Sequence, residues 1–314
     1  DLGRQIAKII RNNLSRAGLV TAIDRDAHPA SAFGDPASPN LPDWSGVGAD
    51  NVITGSVTKS AHGRLTVQFF LWDTVTRRQL SALTYTTTAN YWRRIGHLIS
   101  DAVMKRITGE EGAFDTRIVY VAETGPKTDR TKQLAIMDQD GANHQFLTAS
   151  DLFVTSPRFS PTSQEITYVG LSNGKWSLYL LNLDTGQFEV LANFNGGMPT
   201  SPRFSPSGDK LVATVSIDGN SDLYEIDLTT RETLRLTEHS SIDTAASYSA
   251  DGKFIVFESD RSGSQQLYRL DRDTGQTRRI SRGEGRYATP VWSPTGEWIA
   301  FTKNLKGQFY IGIM

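Results

Sequence analysis

The seven residues TSPRFSP at 155–161 return letter for letter at 200–206. Weaker copies stand further on, AASYSA from Ala245 and TPVWSP from Thr289, so the steps between copies are 45, 44 and 44 residues. A second phase keeps the same period: LYLLNLDTG starts at Leu178, LYEIDLTTR at Leu223 and LYRLDRDTG at Leu267. Two phases with one period mark a repeat array. A degenerate first copy, RIVYVAE followed by LAIMDQDGA, lies one period upstream.

Each repeat holds four strand-like runs. In the copy that opens with TSPRFSP they are PRF, EITYVGL, SLYLLNL and FEVLA, here strands A to D, joined by turn formers in SPTSQ, SNGK and DTGQ. Four short strands in about 44 residues make a β-propeller blade. Pro157 and Pro161, and again Pro202 and Pro206, bracket strand A. Proline cannot donate to a ladder, which places strand A at a sheet edge, the innermost one. Phe159, Phe204, Tyr248 and Trp292 then supply one aromatic per blade for packing between sheets. From residue 117 onward there is room for roughly four and a half such units. The first lacks strand A and the last lacks strand D, so the chain is expected to continue beyond Met314. The abrupt opening in a helix suggests missing residues upstream as well.

Residues 1–112 follow a different pattern. Leu2, Ile6, Ile9, Ile10 and Leu14 fall at helical spacing, and LVTAID at 19–24 is a strand candidate. A loop rich in Pro, Ala and Ser at 27–43 leads to three strand-like runs, NVITGSVTKS, RLTVQFFLWD and RQLSALTYTT, with hairpin joints at 61–63 and 73–78. A second helix is predicted over about 90–107, with Ile95, Leu98, Ile99, Ala102 and Val103 buried and Gly109 as its stop. The predicted organisation is an α/β N-terminal domain at 1–112, a linker at 113–116 and a β-propeller at 117–314, with helices packed on one face of the first domain's sheet.

Composition narrows the function classes. A formal net charge of -1 over 314 residues gives no basic field for nucleic acid or an anionic membrane. The chain has no cysteine, which excludes disulfides, thiolate catalysis and cysteine-held metal sites. No apolar run approaches the length of a membrane-spanning helix. GLSNG at 170–174 fits G-x-S-x-G, but a nucleophile elbow needs strand, turn and helix, and here a strand follows, so Ser172 is read as a hairpin residue. DQDGA at 138–142 and DRDTG at 271–275 lack the ligand ladder of a calcium loop and align with the C–D turns. His28, His62, His97, His144 and His239 show no metal-ligand spacing. Neither a catalytic nor a metal site nor a cofactor is predicted.

What remains is surface. The D–A connections, 150–155, 195–200, 240–244 and 284–289, are predicted to be loops around one mouth of the propeller channel. Phe153, Met198, Pro199 and Tyr287 are apolar or aromatic where polar residues would serve, as at a protein interface.

The repeats, with GADNVITGSV and YWRRIGHLISDAVMKRITGEEGAFDTRIVYV upstream of them, resemble the TolB family of the Tol–Pal envelope system. The resemblance spans essentially the whole chain and implies a six-bladed propeller, no enzymatic activity and a periplasmic location. It implies binding of the lipoprotein Pal at the channel mouth, use of that face by colicin-type bacteriocins, and TolA binding through a segment upstream of Asp1. The family's Pal contacts fall on NGGMPT near Met198 and on IDTAA near Thr244. The candidate contact set is Phe153, Val154, Met198, Pro199, Thr200, Asp243, Thr244, Tyr287 and Thr289. Two other readings are open at this point. One is the propeller of a serine peptidase. The other is a peptidoglycan- or carbohydrate-binding propeller, with Trp44, Trp72 and Trp176 as exposed stacking platforms.

Overall fold

The computed structural model describes residues 1–18, 20–150 and 152–314. It divides into two compact units, one of Asp1–Arg117 with Asp138–Asp140, the other of Ile118–Met137 with Gly141–Met314.

In the first unit, α1 (Leu2–Arg16) starts under an N-cap: the Asp1 carboxylate accepts from the amides of Gly3 at 3.0 Å and Arg4 at 3.4 Å. A short α2 (Leu41–Gly46) precedes the antiparallel sheet β1 (Asn51–Lys59), β2 (Arg64–Asp73) and β3 (Arg78–Thr88). α3 (Trp92–Thr108) ends at Gly109, whose φ of 81° is the left-handed stop that glycine allows. Along β2, Leu65, Val67, Phe69 and Leu71 alternate onto the buried face, and Val67, Phe69 and Leu71 share a core with Ile6, Ile10 and Leu14 of α1 and Ile95, Ile99 and Val103 of α3. Two helices therefore cover one face of the sheet, as the apolar periods require. Asn13 is buried between the helices with its polar groups satisfied: its amide reaches His97 Nδ1 at 2.9 Å and donates to Ser100 Oγ at 3.0 Å.

Two local expectations fail in this unit. Residues 20–24 of LVTAID form no strand, and Leu19 lies outside the described residues. The stretch 27–43, expected to be a plain loop, contains two 3-10 turns and the start of α2. Trp44 and Val52 hold that segment in a second small core, which local sequence did not reveal.

The second unit is a succession of five antiparallel sheets among the described residues. The first holds β4 (Arg117–Thr124), β5 (Thr131–Asp138) and β6 (Gln145–Phe146). The second holds β7 (Phe153–Phe159), β8 (Glu165–Ser172), β9 (Lys175–Asn182) and β10 (Phe188–Ala192). The third holds β11 (Met198–Phe204), β12 (Lys210–Ile217), β13 (Asn220–Asp227) and β14 (Thr233–Arg235). The fourth holds β15 (Asp243–Tyr248), β16 (Phe254–Ser259), β17 (Gln266–Asp271) and β18 (Thr277–Arg279). The fifth holds β19 (Arg286–Trp292), β20 (Ile299–Leu305) and β21 (Gln308–Ile313). Separate cores lie between successive sheets, such as Val169, Leu178, Leu211 and Ala213 between the second and third, and Val212, Leu223, Tyr248 and Phe257 between the third and fourth. The aromatic of each copy packs there as predicted: Phe159, Phe204, Tyr248 and Trp292 each join one of these clusters. This is propeller packing, sheet face on sheet face with strand A at one edge.

Candidate functional site

Strand A is longer than PRF. It begins at Phe153, Met198, Asp243 and Arg286, so the candidate contact residues, expected in loops, lie in strands. The expected loop ends early because every copy carries a bulge. Ladder register shifts between Thr155 and Arg158, Thr200 and Arg203, Thr244 and Ser247, and Ala288 and Val291. At the same point of each bulge, Ser156, Ser201, Ala245 and Thr289 take positive φ, between 49° and 55°. Side chains with a Cβ rarely adopt that conformation. The prolines that follow three of them sit where the ladder asks for no donor.

The bulge frees an amide, and the neighbouring sheet accepts it. Ala245 N–H donates to Thr214 Oγ1 at 3.2 Å, and Thr289 N–H to Glu258 Oε2 at 2.8 Å. The second serine of the motif closes the A–B turn: Ser205, Ser249 and Ser293 Oγ accept from the amides of Lys210, Phe254 and Trp298 at 3.0–3.1 Å. The repeated spelling is thus a bulge followed by a turn.

Strand A starts opposite the end of strand B in each copy, for example Phe153 opposite Leu171 and Met198 opposite Ser216. At that end of the sheets Phe153 (39% exposed), Met198 (37%), Ile217 (38%) and Ile242 (46%) present apolar side chains to solvent. Phe153 is held in place, edge-on to Trp176 at 5.7 Å with Lys132 Nζ 5.0 Å above its ring. Thr289 is exposed, and Thr200 and Thr244 are half-buried. Val154, Pro199, Asp243 and Tyr287 are buried and support the surface from beneath. Asp243 accepts from Arg261 Nη2 at 2.7 Å, and Tyr287 donates to the Arg282 carbonyl. Ile217 and Ile242 were missed by sequence reading, although the test that found Met198, an apolar residue in a turn-forming stretch, picks out both.

A hollow of about 270 Å³ opens at this end beside Ile242, Thr244, Glu258, Asp260 and Arg286. Some of its polar groups are engaged: Thr244 Oγ1 donates to Glu258 Oε1 at 2.6 Å, and Asp260 accepts from the Ile242 amide at 2.9 Å. Such a hollow, with Ile242 at its edge, suits an inserted side chain from a partner more than a reacting substrate.

The other candidates lose ground. Ser172 lies in a two-residue hairpin whose Asn173 and Gly174 both have positive φ, and a strand follows instead of a helix, so no elbow forms. Asp271 accepts from the amides of Asp273 and Thr274 at 3.1 Å and 3.0 Å, which is turn chemistry. Trp44 is 7% exposed and Trp72 and Trp176 are half-buried, against the expectation that all three offer open stacking faces. Within the first unit the fold brings His97, Asp138 and Asp140 within 4.8 Å of one another, a grouping the histidine spacing did not show. Arg93 Nη2 stands 2.5 Å from Asp140 Oδ2 and already supplies a cation there. No helix among the described residues is long and apolar enough to cross a membrane.

Comparison with known proteins agrees with this geometry. The TolB beta propeller domain matches residues 104–314, and the TolB amino-terminal domain matches residues 1–80. The Tol-Pal system protein TolB of Paramagnetospirillum magneticum is 48% identical over 195 residues, 62% of this chain and 44% of that protein. The chain therefore aligns with less than half the length of this curated relative. The crystal structure of TolB from Acinetobacter baumannii superposes with a TM-score of 0.88 at 32% identity, covering 98% of this chain and 76% of that one. A puromycin hydrolase shares 18% identity at a TM-score of 0.50, over 85% of this chain and 44% of its own, a likeness of fold alone. Through both of its units, the chain belongs to the TolB family.

Proposed function

We propose that this protein is a non-enzymatic, periplasmic protein-binding scaffold of the Tol–Pal system, which binds Pal at the end of the propeller where strands A begin and so supports outer-membrane integrity and cell division. The observation that carries the reading is the set of exposed apolar residues Phe153, Met198, Ile217 and Ile242 at one end of consecutive sheets, beside a hollow lined largely by polar residues. Anchors in a polar rim are what a protein interface needs. Colicin-type bacteriocins and TolA belong to the same reading as further partners. The proposed organisation is an N-terminal domain at 1–112, a linker at 113–116 and the propeller from 117.

The test is titration of the full-length protein with soluble Pal, by calorimetry. Met198→Asp and Thr244→Arg each place a charge or bulk on the proposed face and should weaken binding at least about tenfold, with thermal unfolding unchanged. The reading falls if Pal shows no saturable binding, or if both variants bind as the parent does.

A further inference from the structure

Arg158 on β7 and Arg203 on β11 hold the same place in successive copies, immediately after the bulge of an innermost strand. Both are half-buried. Arg158 Nη1 donates to the Pro157 carbonyl at 2.9 Å, while its Nε is buried and has no partner. Among the described residues no carboxylate pairs with either guanidinium. The two charges oppose each other instead. Burial first, then the charge of Arg158, pushes Arg203 down to about 10, so it is still a cation at neutral pH.

The propeller does not require arginine at this position. The next two copies carry Ser247 and Val291 there, and Ser247 Oγ accepts from the Trp292 amide of the following sheet at 3.0 Å. Half-burying two like charges without a counter-ion opposes folding. A chain that keeps both has a use for them that the architecture does not supply. A guanidinium is a planar fork of donors that matches the paired oxygens of phosphate or carboxylate, and two such forks side by side match a single oxyanion.

We infer that Arg158 and Arg203 together form a binding site for an oxyanion, phosphate or carboxylate in chemistry, on the innermost strands of the propeller. The site lies after the bulges, whereas the face proposed for Pal lies before them, and it does not depend on that proposal.

The experiment follows thermal unfolding of the full-length chain against inorganic phosphate, and separately against acetate, at ionic strength held constant with chloride. Arg203→Ser and Arg158→Val install the residues that the later copies already tolerate. The parent should gain stability saturably with phosphate, acetate or both, and each variant should require at least about tenfold more anion for the same gain. In the chloride buffer without phosphate or acetate both variants should unfold at or above the parent temperature, because a repulsion has been removed. A structural role for the arginines gives the opposite sign there. The proposal is overturned if parent and variants respond to both anions alike, if the parent responds to neither, or if the variants are destabilised without phosphate or acetate.

Discussion

Glu225 offers the sharpest test of how successive sheets are held together. It lies on β13, and its buried carboxylate accepts from Tyr248 Oη of β15 at 2.9 Å and from Arg272 Nε and Nη2, each at 2.9 Å. Arg272 also stands over the Tyr248 ring at 5.4 Å and donates to the Gly252 carbonyl. The third and fourth sheets are thus latched by charge at a place where the second and third sheets instead bring together Leu180, Phe204 and Leu228. Glu225→Gln keeps the shape and removes the charge. Breaking a buried pair costs about 3–5 kcal/mol. The Arg272 side chain keeps 22% exposure, so water recovers part of that. The expected loss is about 2–3 kcal/mol, or about 5–10 °C in melting temperature for a unit of this size. Circular dichroism melts and urea midpoints would measure it, and a double-mutant cycle with Arg272→Gln should give a coupling of at least about 1.5 kcal/mol. The triple change Glu225→Leu, Arg272→Leu and Tyr248→Phe copies the apolar contact between the second and third sheets and should come within about 1 kcal/mol of the parent. A Glu225→Gln variant that melts within about 1 °C of the parent, or a coupling near zero, refutes the latch.

Three further outcomes are expected. The Asp227 carboxylate is held well below its ordinary range, first by the Thr230 amide, then by Lys210 and the Thr229 amide. A depressed carboxylate adds stability above about pH 4 and loses it as pH falls below that, so Asp227→Asn should flatten the acid limb of melting temperature between about pH 5 and pH 2; parallel limbs would refute it. A Cβ at Gly55 of β1 would stand 2.4 Å from the Gln68 carbonyl oxygen, whereas one at Gly46 meets nothing within 4 Å. Gly55→Ala should therefore cost about 1–3 kcal/mol in urea unfolding while Gly46→Ala costs nothing measurable. Asp101 of α3 accepts from the Phe114 and Asp115 amides at 2.7 Å and 2.9 Å, so Asp101→Ala should speed hydrogen exchange at those two amides selectively.

Much of the fold was legible because its elements repeat or alternate. The period of about 44 residues located the sheets, and the alternation along RLTVQFFLWD located the buried face of β2. What failed was local reading without a period. Residues 20–24 of LVTAID have strand composition but join no strand, and the stretch before Trp44 turns helical because a small core gathers it. At the candidate face, apolar residues in turn-forming stretches flagged Phe153 and Met198, and the same signal was available for Ile217 and Ile242. The burial of Val154, Pro199, Asp243 and Tyr287 was not available, because alternation on a strand whose bulge is unseen cannot be phased.

The sequence by itself determined the repeat, the edge position of strand A and the aromatic that packs each sheet on the next, because those follow from spacing and from what proline cannot do. Tertiary structure decided where strand A begins. The bulges at Ala245 and Thr289 find their acceptors, Thr214 and Glu258, on the neighbouring sheet. It also decided that Arg158 and Arg203 stand together without a counter-charge among the described residues, since a guanidinium's partners come from whatever the fold sets beside it and not from its neighbours in the chain.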